Sequence, residues 1–250
     1  MNIIVLVKQV PDTEAKIRIA DDGKHIDESS LNFVVNPYDE FAIEAALQLK
    51  EAHGGEITLI SVGPDSALAA LRTGLAMGAD KAVLLKTADS RFMDSFAVAR
   101  LLADDIKGRE YDLVLSGKKA VDTDAQQVGT LVAMQLGLPV ITSIVKLNLA
   151  DGRVTAEREI EGGTEQVACN LPAVLSCEKG LNEPRYPNLK GIMMAKKKPI
   201  EEKETGSGGI AAAIASMEYP PQKAEGRIVG EGSAAAAGLA KLLREEAKVI

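Results

Sequence analysis

The sequence predicts an α/β protein built on a doubly wound, mostly parallel sheet. Short apolar runs alternate with helical patterns from the first residues to about residue 137. The first run, residues 3–7 (IIVLV), is apolar at every position, which is typical of a strand buried on both faces. Strands and helices that alternate at this spacing form right-handed βαβ units.

The first helix is predicted over residues 36–53. Asn36 is a suitable N-cap, Pro37 suits the first helical position, and Asp39 places a negative charge in the first turn. An alanine- and leucine-rich stripe is expected to face the core, and Gly54-Gly55 ends the helix. The opposite face, which is expected to face water, carries Glu40, Glu44, Gln48 and Glu51.

The same alternation predicts further strands and helices. The strands fall at residues 56–62, 82–86 and 112–116. The helices are one carrying Leu68, Leu71 and Leu75, one beginning at Asp94, and one over residues 124–137. Thr123–Gln126 fits a capping box for the last of these helices, with Thr123 as the cap and Gln126 reaching back to it.

The pattern changes after Pro139. Residues 141–149 and 153–160 predict a hairpin around Asp151-Gly152, and residues 165–169 and 173–177 predict further extended structure. Together these strands are expected to extend the sheet in antiparallel fashion. Beyond Lys179 the composition turns Pro-, Lys- and Glu-rich, then Gly- and Ala-rich, with one helix predicted at 233–247.

This pattern divides the chain into three predicted parts. Residues 1–180 form an α/β nucleotide-binding domain, and residues 181–200 form a Pro-containing loop with a basic segment, to which the family resemblance given below assigns partner recognition. Residues 201–250 form an extended C-terminal arm that ends in a helix. Because the arm has little core-forming pattern, we expect it to lie on a partner subunit rather than on its own domain.

The composition excludes several classes of function. A net charge of −7 argues against a nucleic-acid or anionic-membrane surface, and 3% aromatic residues argue against base stacking. No apolar run reaches the roughly 18 residues of a membrane span. Two histidines leave few places for a metal site, and Cys169 and Cys177 form no disulfide framework, which favours the cytoplasm. We therefore expect a chain that holds a nucleotide, without catalytic residues or metal ligands of its own.

The most informative stretch is residues 112–129, DLVLSGKKAVDTDAQQVG. A strand followed by such a loop and a helix start presents backbone N–H groups to a phosphate. Lys118 and Lys119 could neutralise the phosphate, whereas Asp122 and Asp124 would repel it unless their carboxylates turn away. From these residues alone, a phosphate site and a purely structural loop are equally supported.

Several motifs that occur in order resemble the β subunit of electron transfer flavoproteins, from the first strand to about residue 200. They are VLVKQV, NPYDEFAIEAALQLKE, LRTGLAMGAD, GKKAVDTDAQQVG, EREIEGG and LNEPRYPNLKGIMMAKKKPIE. The resemblance implies a nucleotide α-hydrolase-like fold and a heterodimer whose α subunit holds the redox-active FAD. It also implies a structural AMP buried in the β subunit, and passage of electrons to a quinone-linked acceptor.

The resemblance also implies the residues that contact AMP, all at strand ends and helix starts. They are Leu6, Asn36, Pro37, Tyr38, Asp39, Val62, Gly117, Lys118, Lys119, Ala120, Val121, Asp122, Thr123, Asp124, Ala125, Gln126, Gln127 and Val128. The family's partner-recognition loop falls on residues 182–195, where Leu189 matches the leucine that docks into acyl-CoA dehydrogenases. Arg185 and Tyr186 are assigned to the same loop, because its composition suits a protein interface.

Two departures from the family pattern leave the nucleotide open. Thr13 stands where some AMP-binding members carry a tyrosine near the flavin. Electron-bifurcating members bind a second FAD at the AMP position, and Gln127-Val128-Gly129 resembles their loop. The EIEGG and NEPRY motifs and the Leu189 loop resemble the AMP group, which we favour. A stand-alone nucleotide-binding regulatory domain is a third hypothesis, which predicts a stable monomer.

Overall fold

The computed structural model describes residues 1–87, 93–206, 208–223 and 225–250. The described chain forms two compact units, Met1–Met217 and Glu218–Ile250. The strands of the first unit are β1 (Asn2–Leu6), β2 (Gln9–Pro11), β3 (Phe33–Val35), β4 (Glu56–Gly63), β5 (Lys81–Lys86), β6 (Leu113–Gly117), β7 (Val140–Ala150), β8 (Arg153–Ile160), β9 (Gly163–Asn170), β10 (Ala173–Cys177) and β11 (Ile200–Glu204). Its helices are α1 (Pro37–His53), α2 (Leu68–Met77), α3 (Ser95–Ile106), α4 (Val128–Leu136) and α5 (Leu189–Ala195).

The main sheet has nine strands in the order β11-β5-β4-β1-β6-β10-β7-β8-β9. All pairs from β11 to β7 are parallel, and β7-β8-β9 form an antiparallel extension. This arrangement confirms the predicted doubly wound, mostly parallel fold. β2 and β3, which the sequence analysis did not predict, form a separate antiparallel pair.

Two apolar layers cover the two faces of the sheet, as expected for strands buried on both sides. Ile3 and Val5 of β1 pack in the layer that contains the apolar side chains of α1 and α2. Ile4 and Leu6 belong to the opposite layer, with α3 and α4. The alternation of side chains along one strand therefore joins both halves of the core.

The position of β10 corrects the predicted extension. Its residues were expected in the antiparallel part, but β10 lies between β6 and β7 and runs parallel to both. All five of its residues, Ala173–Cys177, are buried, which suits the interior of a parallel sheet.

The Asp151-Gly152 hairpin is confirmed, since both residues have φ near the left-handed region (51° and 72°) and connect β7 to β8.

The predicted start of α4 is wrong. Asp124 and Gln126 have φ of 50° and 55°, which no residue inside a helix adopts, and α4 begins at Val128. Gln127 is the N-cap, and no side chain caps this helix end. The capping box centred on Thr123 therefore does not form. Residues 118–127 instead make a loop, whose role is described below.

The first part of the predicted arm packs on its own domain, contrary to expectation. β11 extends the sheet beside β5, and the N–H groups of Ala211 and Ala212 donate to Asp94 Oδ2 at 2.7 and 2.6 Å. Asp94 also caps α3 through its other carboxylate oxygen, as predicted. Its two oxygens therefore connect the chain near residue 211 to the start of α3. Residues 207 and 224 of the predicted arm lie outside the described residues.

The second unit, Glu218–Ile250, carries the predicted C-terminal helix. A 3₁₀ turn at Ser233–Ala235 leads into α6 (Ala236–Leu242), which continues as a π-helical turn over Leu243–Ala247. The run covers residues 233–247, as predicted. Across the described parts of both units, no helix combines the length and the apolar character that a membrane crossing requires.

Candidate functional site

The candidate site is a cleft at the carboxyl ends of the central strands. β4 and β5 extend the sheet to one side of β1, whereas β6 lies on its other side. This reversal of strand order is a topological switch point, where open α/β sheets bind ligands. Leu6 at the end of β1, Val62 near the end of β4 and Gly117 at the end of β6 all line the cleft.

Asn36 fixes the loop that follows β6. Its side chain does not cap α1, although the residue stands at the N-cap position. Asn36 Nδ2 instead donates to the Lys119 carbonyl oxygen at 2.8 Å, and its Oδ1 accepts from the Val121 N–H at 3.2 Å. Asn36 is 1% exposed, so both bonds are shielded from water. The residue predicted to cap a helix therefore holds the wall of the cleft.

Asp39 lines the cleft and connects the chain just after β1 to the end of β6. Its Oδ2 accepts from the Lys8 N–H at 2.7 Å and its Oδ1 from the Gly117 N–H at 3.0 Å. Burial raises the pKa of Asp39 to about 7, although the hydrogen bonds from Lys8 and Gly117 favour its ionised form. Asp39 lies in the first turn of α1, as predicted, and its carboxyl group also accepts hydrogen bonds from two backbone N–H groups outside that helix.

Gly117 is required by this close contact. A Cβ built on Gly117 would lie 2.7 Å from the carbonyl carbon and from the Cβ of Tyr38, and would also collide with Asp39 Oδ1. Only glycine allows the end of β6 to approach the start of α1 this closely. The first residues of α4 are held in a similar way, because a Cβ on Gly129 would lie 2.6 Å from Ser116 Oγ.

Three lysines neutralise the carboxylates around the loop. Lys8 Nζ lies 2.6 Å from Asp122, Lys119 Nζ lies 2.8 Å from Asp124, and Lys118 pairs with Glu178. Lys119 Nζ also lies 5.7 Å from the centre of the Tyr38 ring. The repulsion of a phosphate by Asp122 and Asp124 is therefore reduced by ion pairing, and the lysines that could neutralise a phosphate are partly engaged.

Most of the AMP-contact residues implied by the resemblance line one cleft of about 1100 Å³. These residues are Leu6, Asn36, Asp39, Val62, Gly117, Lys118, Lys119, Ala120, Asp122, Thr123, Ala125, Gln126, Gln127 and Val128. Pro37, Tyr38, Val121 and Asp124 are not in the lining. Three of them contact residues that are: Val121 bonds to Asn36, Asp124 pairs with Lys119, and the Tyr38 ring lies near Lys119 Nζ. The start of α4, at Val128 and Gly129, faces the cleft, as an anion site on a helix N-terminus requires.

Other residues that line the cleft were not predicted. They come from the segment around β2 and β3, the turn after β4, the start of α3 and the chain near residue 213, and include Lys8, Gln9, Lys24, Phe33, Ser66, Ser95 and Ala213. Lys8 carried a usable signal, because it directly follows the apolar strand 3–7 at the edge where the cleft forms. The others come together only through tertiary packing, which leaves no local pattern.

Among the described residues that line the cleft, none belongs to the predicted partner-recognition loop, residues 182–195, and this loop exposes apolar side chains. Tyr186 is 95% exposed. On α5, Leu189 is 82% exposed and Met193 is 70% exposed. Asn188 caps α5 by accepting from the Gly191 N–H at 2.8 Å. Arg185 differs from these residues, because its guanidinium contacts Glu44 and Glu51 of α1. Glu44 was expected to face water, but it is only 3% exposed.

The fold and the cleft together define a doubly wound α/β domain with a cleft at the switch point. Residues 24–206 match the family model described as "Electron transfer flavoprotein domain". The chain is 43% identical to the electron transfer flavoprotein subunit beta of Bacillus subtilis (strain 168), and the match covers 100% of both chains. It is 42% identical to that of Syntrophomonas wolfei subsp. wolfei (100% and 98% covered), and 36% identical to that of Bradyrhizobium diazoefficiens (100% of both). The chain therefore belongs to the electron transfer flavoprotein family, among its β subunits.

Proposed function

We propose that this chain is the β subunit of a heterodimeric electron transfer flavoprotein, and that it binds AMP in the switch-point cleft. One observation carries the nucleotide proposal: Asn36 and Asp39 make hydrogen bonds with the backbone of residues 8, 117, 119 and 121. These bonds hold the cleft wall in a fixed shape before a ligand arrives. A preorganised wall reduces the entropy lost on binding.

The chemistry of the lining fits a purine nucleotide. Leu6 and Val62 offer apolar surface for a base at the strand ends. The start of α4 offers backbone N–H groups and the positive end of a helix dipole for a phosphate. Lys8 and Lys119 lie beside this helix start and offset the acidic residues of the loop. AMP would act as a structural ligand that connects the strand ends, and it needs no catalytic group.

Refolding tests the AMP proposal. The purified heterodimer is unfolded, freed of nucleotide, and refolded with FAD and either AMP or adenosine, the matched control that lacks the phosphate. A ligand that binds only the folded state stabilises it by about 2.7 kcal/mol at 100 times its Kd. We expect AMP, and not adenosine, to raise the yield of folded heterodimer. Equal yields with AMP, with adenosine and with neither would contradict the proposal.

The redox chemistry is assigned to FAD, which we propose is held mainly by an α subunit and partly enclosed by this chain. The flavin supplies the electron-accepting group, and the residues of this chain enclose it and position its partners. We propose that acyl-CoA dehydrogenase-type donors dock on the exposed apolar surface around Leu189 and that electrons leave to a quinone-linked oxidoreductase. The support for docking is the exposure of Tyr186, Leu189 and Met193, which is unusual for large apolar side chains.

A truncation tests the docking proposal. Leu189→Ala removes an apolar anchor whose loss costs about 2 kcal/mol in typical interfaces, which corresponds to a roughly 30-fold higher KM of a donor dehydrogenase for the heterodimer. Met134→Ala is a matched control, because Met134 is 71% exposed and lies on α4. Flavin content should stay unchanged in both variants. An unchanged KM for Leu189→Ala would remove the docking role.

A second candidate is an electron-bifurcating β subunit that binds a second FAD at the AMP position. Two observations favour it: the Gln127-Val128-Gly129 resemblance and the size of the cleft. At about 1100 Å³ the cleft is slightly larger than the usual range for small-molecule sites, about 300–1,000 Å³. Its lining continues past the AMP-contact residues to the start of α3. The number of flavins per heterodimer distinguishes the two candidates.

A further inference from the structure

The segment that carries the exposed apolar surface is bonded to the domain at both of its ends. We call residues 182–198 the docking segment. At its first end Asn182 Nδ2 donates to the Phe41 carbonyl oxygen of α1 at 3.0 Å. Arg185 then forms a fork with Glu44, in which Nε and NH2 donate to the two carboxylate oxygens at 2.7 and 2.9 Å. Its NH1 also donates to Glu51 at 2.6 Å.

The Glu44–Arg185 pair is a clamp that is buried at its Glu44 end, whereas the Arg185 side chain is 37% exposed. The Glu44 side chain is 4% exposed, and its Oε2 also accepts from the Arg185 backbone N–H at 3.2 Å. Gln48 Nε2 donates to the other oxygen at 3.0 Å. Planar, bidentate pairs of this kind fix the orientation of both partners. Removing one partner of such a buried pair leaves the other without compensation, which makes the clamp costly to open.

The second end is held by reciprocal caps between α2 and the docking segment. Arg72 on α2 donates to the carbonyl oxygens of Ala195 and Lys198 at 2.6 and 3.0 Å. Lys198 Nζ in turn donates to the carbonyl oxygens of Leu75 and Ala79, at 3.0 and 2.6 Å. Cations placed on the last carbonyls of a helix satisfy acceptors that have no partner within the helix.

Between its two ends the docking segment rests directly on α2. A Cβ on Gly191 would collide with the Ala76 carbonyl oxygen, so only glycine lets α5 approach the end of α2. Ala195 on the same helix is 3% exposed. The opposite side of α5 leaves Leu189, Met193 and Met194 at 82, 70 and 52% exposure. Contacts on one side and exposure on the other give α5 a fixed orientation.

We infer that Glu44, Arg185 and Arg72 are positioning residues that hold the docking segment in its partner-binding conformation before a donor arrives. The inference rests on the proposed docking function and revises one assignment of the sequence analysis, which placed Arg185 on the docking surface itself. Arg185 acts through Leu189, because its guanidinium is engaged on α1. A donor then meets a preformed surface, and opening the clamp lowers the fraction of molecules that can bind it.

The experiment compares heterodimers that carry Glu44→Gln or Arg72→Met, one variant for each end of the segment. Hydrogen exchange of residues 186–195 is measured without a donor, and KM and kcat are measured with a dehydrogenase donor. We expect faster exchange in this segment, a KM about 10-fold higher and a kcat within about twofold of wild type, with unchanged flavin content. Glu165→Gln is the matched control, because it breaks the Arg158–Glu165 pair of the β8–β9 hairpin at the other edge of the sheet.

A double variant distinguishes the loss of one Glu44–Arg185 contact from independent destabilisation of the domain by each substitution. If Glu44 and Arg185 act as one unit, Glu44→Gln combined with Arg185→Gln raises KM no further than either change alone. Unchanged exchange and KM in both single variants, while Leu189→Ala raises KM, would overturn the inference and leave the docking function intact. Faster exchange with an unchanged KM in every variant, Leu189→Ala included, would overturn the docking function itself. A parallel fall of kcat and flavin content would also overturn the positioning role.

Discussion

Replacing Gly117 by alanine tests whether the end of β6 must touch the start of α1 to build the cleft. The new Cβ would lie 2.7 Å from the Tyr38 carbonyl carbon, whereas carbon atoms in contact are about 3.5–4.0 Å apart. The strand end must therefore move away from α1 by several tenths of an ångström or more. Overpacking of this kind costs about 1–3 kcal/mol. The movement also weakens the 3.0 Å bond from the Gly117 N–H to Asp39, which is worth about 1.5–3 kcal/mol when the Asp39 carboxyl group is ionised.

These two costs overlap, because one displacement causes both, so we expect Gly117→Ala to lower the free energy of unfolding by about 2–4 kcal/mol. For a domain of this size, each kcal/mol shifts the Tm by about 2–4 °C. The assay is thermal unfolding of the heterodimer, followed by quantification of the nucleotide that remains bound after gel filtration. Gly163→Ala is the matched control, since a Cβ on Gly163 meets nothing within 4 Å and its φ is not positive.

The expected result is a Tm lower by at least about 4 °C and a loss of bound nucleotide for Gly117→Ala, with neither change for Gly163→Ala. Equal Tm values for the two variants would refute the packing argument. A lower Tm with full nucleotide retention would mean that the contact stabilises the domain without affecting the cleft. That result would refute the claim that this contact shapes the site.

Three further predictions concern buried groups. Burial raises the pKa of Asp39 from 3.8 to about 7, so between these values the folded chain holds a proton that the unfolded chain releases. The free energy of unfolding should therefore fall as pH rises through this window. Denaturant titrations at about pH 5 and about pH 8 should show a smaller fall for Asp39→Asn than for wild type. Burial acts to raise the pKa of Glu44, but hydrogen bonds from Arg185 and Gln48 bring it below 4.5. The Glu44–Arg185 pair should therefore be stable above that pH and should open as pH falls through the lowered pKa. Hydrogen exchange of residues 186–195, measured as a function of pH, checks this. Cys177 is fully buried, which raises the pKa of its thiol, so a thiol reagent should modify it only after unfolding, as peptide mass mapping would show.

The parts of the fold that could be predicted from the sequence are those fixed by local pattern. The apolar run 3–7 and the Asp151-Gly152 turn produced β1 and the β7–β8 hairpin as expected. Asp94 caps α3 because its carboxylate reaches an N–H only three residues away. In each case the contacts that decide the structure lie within a few residues.

The parts that could not be predicted depend on distant residues. Glu44 is buried because Arg185, 141 positions later, supplies a fork for it. Asn36 fits the N-cap pattern, yet its amide bonds to Lys119 and Val121, more than 80 positions away. The capping box failed because residues 118–127 are used to wall a cleft, and the backbone there adopts left-handed conformations. The departures at Asn36 and in residues 118–127 thus lie at the candidate site.

Counting the nucleotides tests the central claim most directly, because the claim is that the switch-point cleft of this chain holds AMP beside a single FAD in the heterodimer. The heterodimer is purified without added nucleotide and denatured, and the released AMP and FAD are separated and quantified against the amount of protein. The account predicts one AMP and one FAD per heterodimer. Two FAD and no AMP would contradict it, and would assign the cleft to a second flavin.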